Sequence, residues 1–169
     1  EYWREQERLS DAEALRGAHN RALNARDAQP DADYWVGIEG GIEAAKSGHD
    51  VIMTPIQSLY FWWYQGDPKT EPLAAGGYIT LQKVYQYDPI PEALTPNEAK
   101  HILGAQGCAW TEYMEDPAKV EYMVFPRMSA LAEIVWSPKQ VKNWTNFKKR
   151  MNKQFERYDQ RDINYAKVP

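Results

Sequence analysis

The stretch DYWVGIEGGIEAAKSGHDVIMTP, residues 33–55, decides the fold class. It opens with a short apolar run (33–37), passes through a helical segment (42–46), and ends with a second apolar run (50–55) that a proline closes. Gly48 is placed to end the helix as a left-handed cap. Two strands that are apolar almost throughout and joined by a short helix are typical of a parallel sheet covered on both faces. We therefore predict an α/β fold.

Three further elements are predicted downstream of this stretch. Residues 102–110 form a strand whose glycines let another group approach the backbone closely. Residues 120–136 have the apolar spacing of a helix, and Pro126 either kinks this helix or marks its first turn. Ser137-Pro138 predicts the N-cap and first-turn proline of a last helix. The apolar stripe of that last helix contains Val141, Trp144, Phe147, Met151, Phe155 and Tyr158.

The chain changes composition near residue 34. Residues 1–33 contain five arginines, no lysine and seven alanines, whereas lysine is the commoner cation afterwards. We predict an atypical helical lead-in over residues 1–33 and the α/β domain over residues 34–169.

Composition excludes several classes of function. The 169 residues have a net charge of −4, and none of their apolar runs approaches the roughly 18 residues of a membrane span, so we predict neither a membrane span nor a nucleic-acid partner. A single cysteine, Cys108, and three histidines far apart in sequence give no metal-ligand spacing, and we predict no metal and no cofactor. Cys108 is interpreted as a small core residue.

Aromatic side chains make up 13% of the chain, and several follow the predicted strands. Trp35 lies in the first strand, Tyr60 and Trp62 follow the second, and Trp110 ends the third, with Glu112 two residues beyond it. Such rings suit the apolar faces of a sugar, and a carboxylate accepts its hydroxyls. Each tryptophan taken alone fits core packing better than ligand contact, whereas the three together, with the nearby carboxylate, fit the two interpretations equally. The connection between the second and third strands is about 45 residues long, which is uncommon unless it is functional.

Four groups of residues follow one another in order. They are GIEGG (37–41) with GHDVIMTP (48–55), YQGDP (64–68) with EP (71–72), GAQG (104–107) with WTEY (110–113), and EYMVFPR (121–127) with AE (132–133) and WSP (136–138). Together they resemble the family 20 glycoside hydrolases, the β-N-acetylhexosaminidases. The resemblance covers about four-fifths of the chain, from residue 35 to the last helix.

The resemblance implies a fold and an activity. The family folds as a (β/α)8 barrel, which needs about 250 residues, so the chain is expected to supply the C-terminal portion, about the last three βα units. The activity is removal of terminal N-acetylglucosamine or N-acetylgalactosamine from glycans. Hydrolysis is retaining and substrate-assisted, because the acetamido oxygen of the substrate attacks the anomeric carbon. Family resemblance alone favours an exported protein, periplasmic or extracellular.

The resemblance also assigns roles to residues. Tyr60 donates a hydrogen bond from its hydroxyl to the acetamido oxygen. Trp35 and Trp110 form the walls around the acetamide and the sugar ring, and Glu112 accepts hydrogen bonds from hydroxyls on the far side of the ring. The family's Asp-Glu pair, which holds the acetamide and protonates the leaving oxygen, does not occur in these 169 residues. The isolated chain is therefore predicted to be inactive and to need the N-terminal half of the barrel as its partner. The alternative is a non-catalytic aminosugar-binding module or an inactive fragment.

Trp62 departs from the family pattern, which has aspartate at this position. Loss of that carboxylate removes repulsion toward a negative group, so the sequence predicts tolerance for a 6-substituted sugar, such as a 6-O-sulfated one. The alternative is that Trp62 only packs. His49, in the Gly48-His49-Asp50 turn, is interpreted as structural.

Overall fold

The structure is a computed structural model that describes residues 41–167. The predicted strand at 33–37, the lead-in and His19 lie outside these residues. The helices are α1 (Gly41–Lys46), α2 (Ile56–Leu59), α3 (Leu81–Gln86), α4 (Pro117–Val124), α5 (Arg127–Trp136) and α6 (Trp144–Asp159). The strands are β1 (Val51–Met53) and β2 (Ile102–Ala105), and 3-10 turns occupy Glu98–His101 and Lys139–Val141. None of the described helices is long and apolar enough to cross a membrane.

The chain divides into two compact units. Among the described residues, the first contains 41–53 and 90–104, and the second contains 54–89 and 105–167.

The first unit contains α1 and a two-stranded sheet in which β1 pairs with β2. The predicted glycine cap is confirmed: Gly48 has φ +80°, its N–H donates to the Ala45 carbonyl, and the His49 N–H donates to the Ala44 carbonyl, each at 3.0 Å. β1 and β2 lie within the predicted strands but are shorter. His101 Nδ1 lies 2.9 Å from a carboxylate oxygen of Asp50.

The second unit is mainly helical, and one predicted helix is two helices. The sequence predicts either one helix over 120–136 that is kinked at Pro126 or a helix whose first turn Pro126 marks. In the structure α4 ends at Val124 and α5 begins at Arg127. Pro126 lies directly before α5. Its nitrogen cannot donate the hydrogen bond that a continuous helix requires at this position, so one helix ends before it and another begins after it. Pro126 therefore marks the start of a helix, which is the second of the two alternatives.

The start of the last helix corrects the prediction for Ser137. Ser137 ends α5, and the N-cap of α6 is Asn143, whose side-chain oxygen accepts a 2.9 Å bond from the Asn146 N–H. Val141 precedes the helix and is 65% exposed, so it does not belong to the apolar stripe. Phe147, Met151 and Tyr158 are buried as predicted.

The core of the second unit joins α3, α5 and α6 to the segment after α2. Its buried members are Leu59, Phe61, Ile79, Leu81, Val84, Tyr85, Ala130, Leu131, Ile134, Phe147, Met151 and Tyr158. At its edge the Tyr85 hydroxyl donates to Glu133 at 3.0 Å and accepts from the Asn143 N–H at 2.9 Å. Arg150 hydrogen-bonds both oxygens of Glu133, and this contact holds the pKa of Glu133 below its ordinary value. The predicted long connection thus contains α2 and α3, and α3 contributes three core residues.

Candidate substrate-binding site

Tyr60 lies where two chain segments run side by side. It forms a parallel bridge with Cys108: the Phe61 N–H donates to the Cys108 carbonyl at 2.7 Å, and the Cys108 N–H donates to the Leu59 carbonyl at 2.8 Å. Because the pairing is parallel, the residues that follow Tyr60 and those that follow Cys108 leave the bridge at the same end. Trp62 follows the first, and Trp110 follows the second, so the pairing brings these predicted site segments together.

The predicted site residues differ in exposure. Trp110 is 50% exposed and Glu112 is exposed, so both side chains face solvent. Tyr60 is half-buried, with its ring centroid 6.4 Å from that of Trp63. Trp35 lies outside the described residues. Tyr60, Trp110 and Glu112 are thus placed on one unit, and their roles stay predictions.

Trp62 packs against a small second core. This cluster contains the buried side chains of Ala74, Met114 and Met123, with Trp62 partly buried against it. The indole Nε1 of Trp62 is shielded from water and has no hydrogen-bond partner among the described residues. Packing is therefore at least part of the role of Trp62.

Gly107 is required by close packing at the bridge. A Cβ at Gly107 would lie 2.5 Å from the Phe61 ring, closer than two carbon atoms approach without displacement. The sequence predicted that glycines in this region admit a close approach, and at Gly107 the approaching group is Phe61. Beside the bridge, burial raises the pKa of the Cys108 thiol, so this half-buried cysteine is not activated as a nucleophile.

Arg127 is a residue that sequence reasoning missed. It is fully buried and donates to four backbone carbonyls, those of Phe61 (2.5 Å), Trp63 (3.0 Å), Ile79 (3.1 Å) and Met123 (2.5 Å). Its guanidinium carbon also lies 4.9 Å from the centroid of the Phe61 ring. Desolvation lowers the pKa of Arg127 to about 9, so the side chain remains a cation at neutral pH.

The loop that Arg127 holds contains several of the aromatic residues. We call residues 61–79 the aromatic loop. Arg127 contacts the carbonyls of Phe61 and Trp63 at one end of this loop and that of Ile79 at the other, and this fixes the backbone on either side of Trp62. The sequence contains a signal for the burial of Arg127 but not for its role: the residues that α5 buries, at positions 127, 130, 131 and 134, have the spacing of one helix face, and Arg127 takes the first position of that face.

Gln65 makes a second attachment of the aromatic loop. It is buried, and its side-chain N–H groups donate to the carbonyls of Tyr122 at 2.5 Å and Phe125 at 3.3 Å. Its own backbone N–H donates to the Glu71 carboxylate at 2.8 Å. The loop is therefore held to α4 and to itself by polar side chains.

The described residues contain no group of three or more histidine, cysteine, aspartate or glutamate side chains able to hold a metal ion. What the second unit offers instead is a half-buried tyrosine, an exposed tryptophan and an exposed carboxylate on two parallel segments. This set can contact an apolar ring face and accept hydrogen bonds from hydroxyl groups.

Comparison with known proteins decides the family. The family model described as glycosyl hydrolase family 20, catalytic domain, matches residues 13–139, which is more than half of the chain. The chain belongs to glycosyl hydrolase family 20. The match begins inside residues 1–33, and the boundary at residue 34 stays a prediction.

Named relatives agree with this assignment. The chain is 43% identical over 132 residues to a β-hexosaminidase of Porphyromonas gingivalis, covering 78% of the chain and 17% of the relative. Among solved structures, it is similar to the family 20 β-N-acetylhexosaminidase of Streptomyces coelicolor, with a TM-score of 0.69, 27% identity, and coverage of 96% of this chain and 28% of that one. It is also similar to the Vibrio harveyi exo-β-N-acetylglucosaminidase in complex with N-acetylglucosamine, with a TM-score of 0.67, 31% identity, and coverage of 79% and 21%.

The coverage values differ greatly between the chain and its relatives. The chain spans 17% of the Porphyromonas relative and less than a third of each of these two solved chains. The family is therefore shown, with an α/β fold, for a segment much shorter than the relatives it matches.

Proposed function

We propose that this chain is the substrate-binding part of an exo-acting β-N-acetylhexosaminidase, about the last three βα units of its (β/α)8 barrel. The observation that carries the proposal is the parallel bridge between Tyr60 and Cys108. It brings two segments to a common end, and in barrels the loops at the C-terminal ends of strands carry the site. Family membership supplies the substrate class.

The proposed chemistry uses the substrate's own acetamide. Tyr60 donates its hydroxyl to the acetamido oxygen and orients it toward the anomeric carbon, which the oxygen attacks to give an oxazolinium ion. Trp110 contacts the sugar ring, with Trp35 assigned by resemblance alone, and Glu112 accepts hydrogen bonds from the sugar hydroxyls. Water then opens the oxazolinium with retention of configuration. The Asp-Glu pair that orients the acetamide and protonates the leaving oxygen comes from the rest of the barrel.

Two exposed strand residues support a larger barrel. In the first unit, Ile52 of β1 is 50% exposed and Leu103 of β2 is 55% exposed. Large aliphatic side chains on sheet strands ordinarily pack against another layer. The remaining barrel half is the partner proposed to cover them.

The test compares two proteins on an aryl N-acetyl-β-glucosaminide. The natural gene product that carries this sequence is expected to hydrolyse it with retention of configuration, and the 169-residue chain alone is expected to release no aglycone. Turnover by the chain alone, or none by the gene product, contradicts the proposal.

We also propose that Trp62 broadens recognition at the O6 side of the sugar. The family's aspartate is replaced by a side chain without charge, so a 6-O-sulfate meets no repulsion there. Kinetics on matched 6-sulfated and plain aryl glycosides, with Trp62→Asp as the second enzyme, test this. Trp62→Asp is expected to lower the ratio of kcat/KM for the sulfated substrate to kcat/KM for the plain one, a ratio that a loss of packing common to both substrates does not change; a strong preference of the natural protein for the plain sugar overturns the proposal.

The second candidate function is a non-catalytic aminosugar-binding module. The absence of an Asp-Glu dipeptide from these 169 residues is the observation that favours it. In that case N-acetylglucosamine changes the tryptophan fluorescence of the gene product while no glycoside is cleaved. A fragment without a ligand shows neither response.

A further inference from the structure

The two chain segments that carry the candidate site have little backbone pairing of their own. We call residues 59–63 and 107–110 the two site segments. The parallel bridge between Tyr60 and Cys108 that joins them is isolated, and two backbone hydrogen bonds form it. Each such bond stabilises a fold only modestly, because it replaces a hydrogen bond to water. The place of the Tyr60 hydroxyl relative to the second segment therefore needs further support from side chains.

Arg127 supports the segment of Tyr60 directly. Its Nη2 donates to the Phe61 carbonyl at 2.5 Å and its Nη1 donates to the Trp63 carbonyl at 3.0 Å. These are the carbonyls one and three residues after Tyr60. The Trp63 N–H closes the same turn, because it donates to the Tyr60 carbonyl at 3.2 Å. The backbone that follows Tyr60 is thus fixed by its own hydrogen bond and by one guanidinium group.

Arg127 supports the segment of Cys108 through the ring of Phe61. The guanidinium carbon lies 4.9 Å from the centroid of this ring, a distance at which a cation is attracted to an aromatic face. The same ring lies so close to Gly107, the residue before Cys108, that no Cβ fits there. Phe61 is fully buried, so its ring cannot shift without disturbing the packing around it. The guanidinium, the ring and Gly107 therefore connect α5 to both site segments.

A guanidinium group is suited to this place by its shape. It is planar and carries five N–H donors in a fixed fork, so that its nitrogens reach several carbonyls at once. Here Nη2 also donates to the Met123 carbonyl in α4, and Nη1 also donates to the Ile79 carbonyl at the far end of the aromatic loop. Arg127 is thereby anchored to residues outside the two site segments, and a displacement of its side chain would move both segments.

We propose that Arg127 is a positioning residue for the hydrolysis, which sets the place of the Tyr60 hydroxyl relative to the segment that carries Trp110. Arg127 contacts neither the substrate nor the reacting atoms in this proposal, and it acts through Tyr60. The inference rests on the proposed function, because it takes Tyr60 as the group that orients the acetamide. A role in stability alone predicts less folded protein after substitution. A positioning role predicts in addition a lower kcat in the folded molecules, and only where the Tyr60 hydroxyl is present.

The experiment is a double-mutant cycle of Arg127→Lys and Tyr60→Phe in the natural gene product, with kcat per folded molecule measured on an aryl N-acetyl-β-glucosaminide. Lysine keeps the charge and lacks the planar fork, so it cannot hold the Phe61 and Trp63 carbonyls together. We expect Arg127→Lys to lower kcat about ten- to a hundredfold with a small change in KM, because a misplacement of about 1 Å can cost about a hundredfold. In the Tyr60→Phe background the same substitution is expected to lower kcat less than about twofold, since the displaced hydroxyl is absent.

Met151→Ala is the control for a loss of stability. It deletes a buried side chain of α6, outside both site segments and outside the aromatic loop, and is expected to destabilise the fold. Its kcat per folded molecule is expected to stay within about twofold of the parent protein in both backgrounds. The control thus separates a change in the amount of folded protein from a change in the position of Tyr60.

Gly107→Ala is a second variant, which decides the proposal if Arg127→Lys yields no folded protein. A Cβ at Gly107 would lie 2.5 Å from the Phe61 ring and would displace it, while all atoms of Arg127 are kept. We expect Gly107→Ala to lower kcat about three- to tenfold in the natural background and less than about twofold in the Tyr60→Phe background. An equal loss in both backgrounds, or no loss in either, overturns the proposal.

The outcomes separate the positioning role from the proposed function. If Arg127→Lys lowers kcat equally in both backgrounds, or in neither, the positioning role is overturned while the hexosaminidase activity stands. If the natural protein cleaves no glycoside, the proposed function fails, and the same cycle is measured as the Kd for N-acetylglucosamine from tryptophan fluorescence. Weaker binding in Arg127→Lys that requires the Tyr60 hydroxyl then supports the positioning role. Equal weakening in both backgrounds, or no binding, overturns it.

Discussion

The aromatic loop and the helical core of the second unit are stabilised by different means. The core of α3, α5 and α6 buries apolar side chains, and its helices satisfy their own backbone groups. The aromatic loop, residues 61–79, has no continuous helix or strand. Arg127 donates to carbonyls near both ends of the loop, and Gln65, within the loop, donates to a carbonyl of α4. Buried carbonyls need donors wherever they lie. The loop that contains the predicted site residue Trp62 therefore depends on buried polar side chains to a degree that the helices do not.

The largest effect is expected from breaking the loop's main support. Arg127→Met removes the donor to three loop carbonyls, those of Phe61, Trp63 and Ile79. Since each buried group left without a partner costs about 1–3 kcal/mol, we expect the free energy of unfolding to fall by about 3–5 kcal/mol. Urea denaturation of the natural gene product measures this, with Arg127→Lys as the control, because lysine keeps the charge and lacks the planar fork. A loss of unfolding free energy below about 1 kcal/mol for Arg127→Met would show that the conformation of the aromatic loop does not depend on Arg127.

A substitution in the helical core sharpens the contrast. Met151→Ala deletes a buried side chain of α6 and is expected to lower the free energy of unfolding by about 3 kcal/mol through lost transfer energy and a cavity. Hydrogen exchange supplies the second readout. Amides of residues 61–79 are expected to exchange faster in Arg127→Met and at an unchanged rate in Met151→Ala under native conditions. Faster loop exchange in both variants would mean that the two regions are not separately stabilised.

Gln65→Leu is a milder change in the aromatic loop. It keeps the approximate size of the side chain and removes the donor to the Tyr122 and Phe125 carbonyls. We expect a loss of about 2 kcal/mol and faster exchange restricted to the loop and the end of α4. An unchanged free energy of unfolding in Gln65→Leu would mean that Arg127, and not Gln65, stabilises the aromatic loop.

The smallest effect concerns an ion pair at the edge of the core. The hydrogen bond from Arg150 lowers the pKa of Glu133 in the folded protein, and Tyr85 donates a further bond. A depressed carboxyl pKa contributes stability that is present above the unfolded pKa, about 4.3, and is lost as the pH falls through the folded pKa. Because Arg150 is largely exposed, we expect Glu133→Gln to cost less than about 1 kcal/mol at pH 7. The difference from the natural protein should shrink below pH 4; a constant difference across pH would contradict the ion-pair account.

The contrast between the helical core and the aromatic loop also explains which features of the fold can be predicted from the sequence. The glycine cap at Gly48 and the stripe Phe147, Met151 and Tyr158 arise from local periodicity and turn chemistry, and both were predicted. Asn143 was missed as a helix cap because Ser137-Pro138 presents a similar signal six residues earlier.

Arg127 and Gln65 could not be assigned roles from local patterns. Their carbonyl partners in other segments are 48 to 66 residues away in sequence and follow no period. Trp62 shows the same limit: its type and position fit both a sugar contact and core packing, and only the structure places it against Ala74, Met114 and Met123. The residues that hold the backbone of the candidate site are thus harder to predict than the aromatic residues proposed for it.

The most direct test of the central claim is the kcat of Tyr60→Phe in the natural gene product, measured on an aryl N-acetyl-β-glucosaminide. Removing one hydrogen-bond donor to the reacting oxygen is expected to lower kcat by about 10²–10³-fold with a small change in KM. Tyr165→Phe is the matched control, since its hydroxyl contacts only Asp159 among the described residues, and it is expected to retain full activity. A kcat for Tyr60→Phe equal to that of the control would contradict the assignment of Tyr60, and with it the account of this chain as the part that binds and orients the substrate.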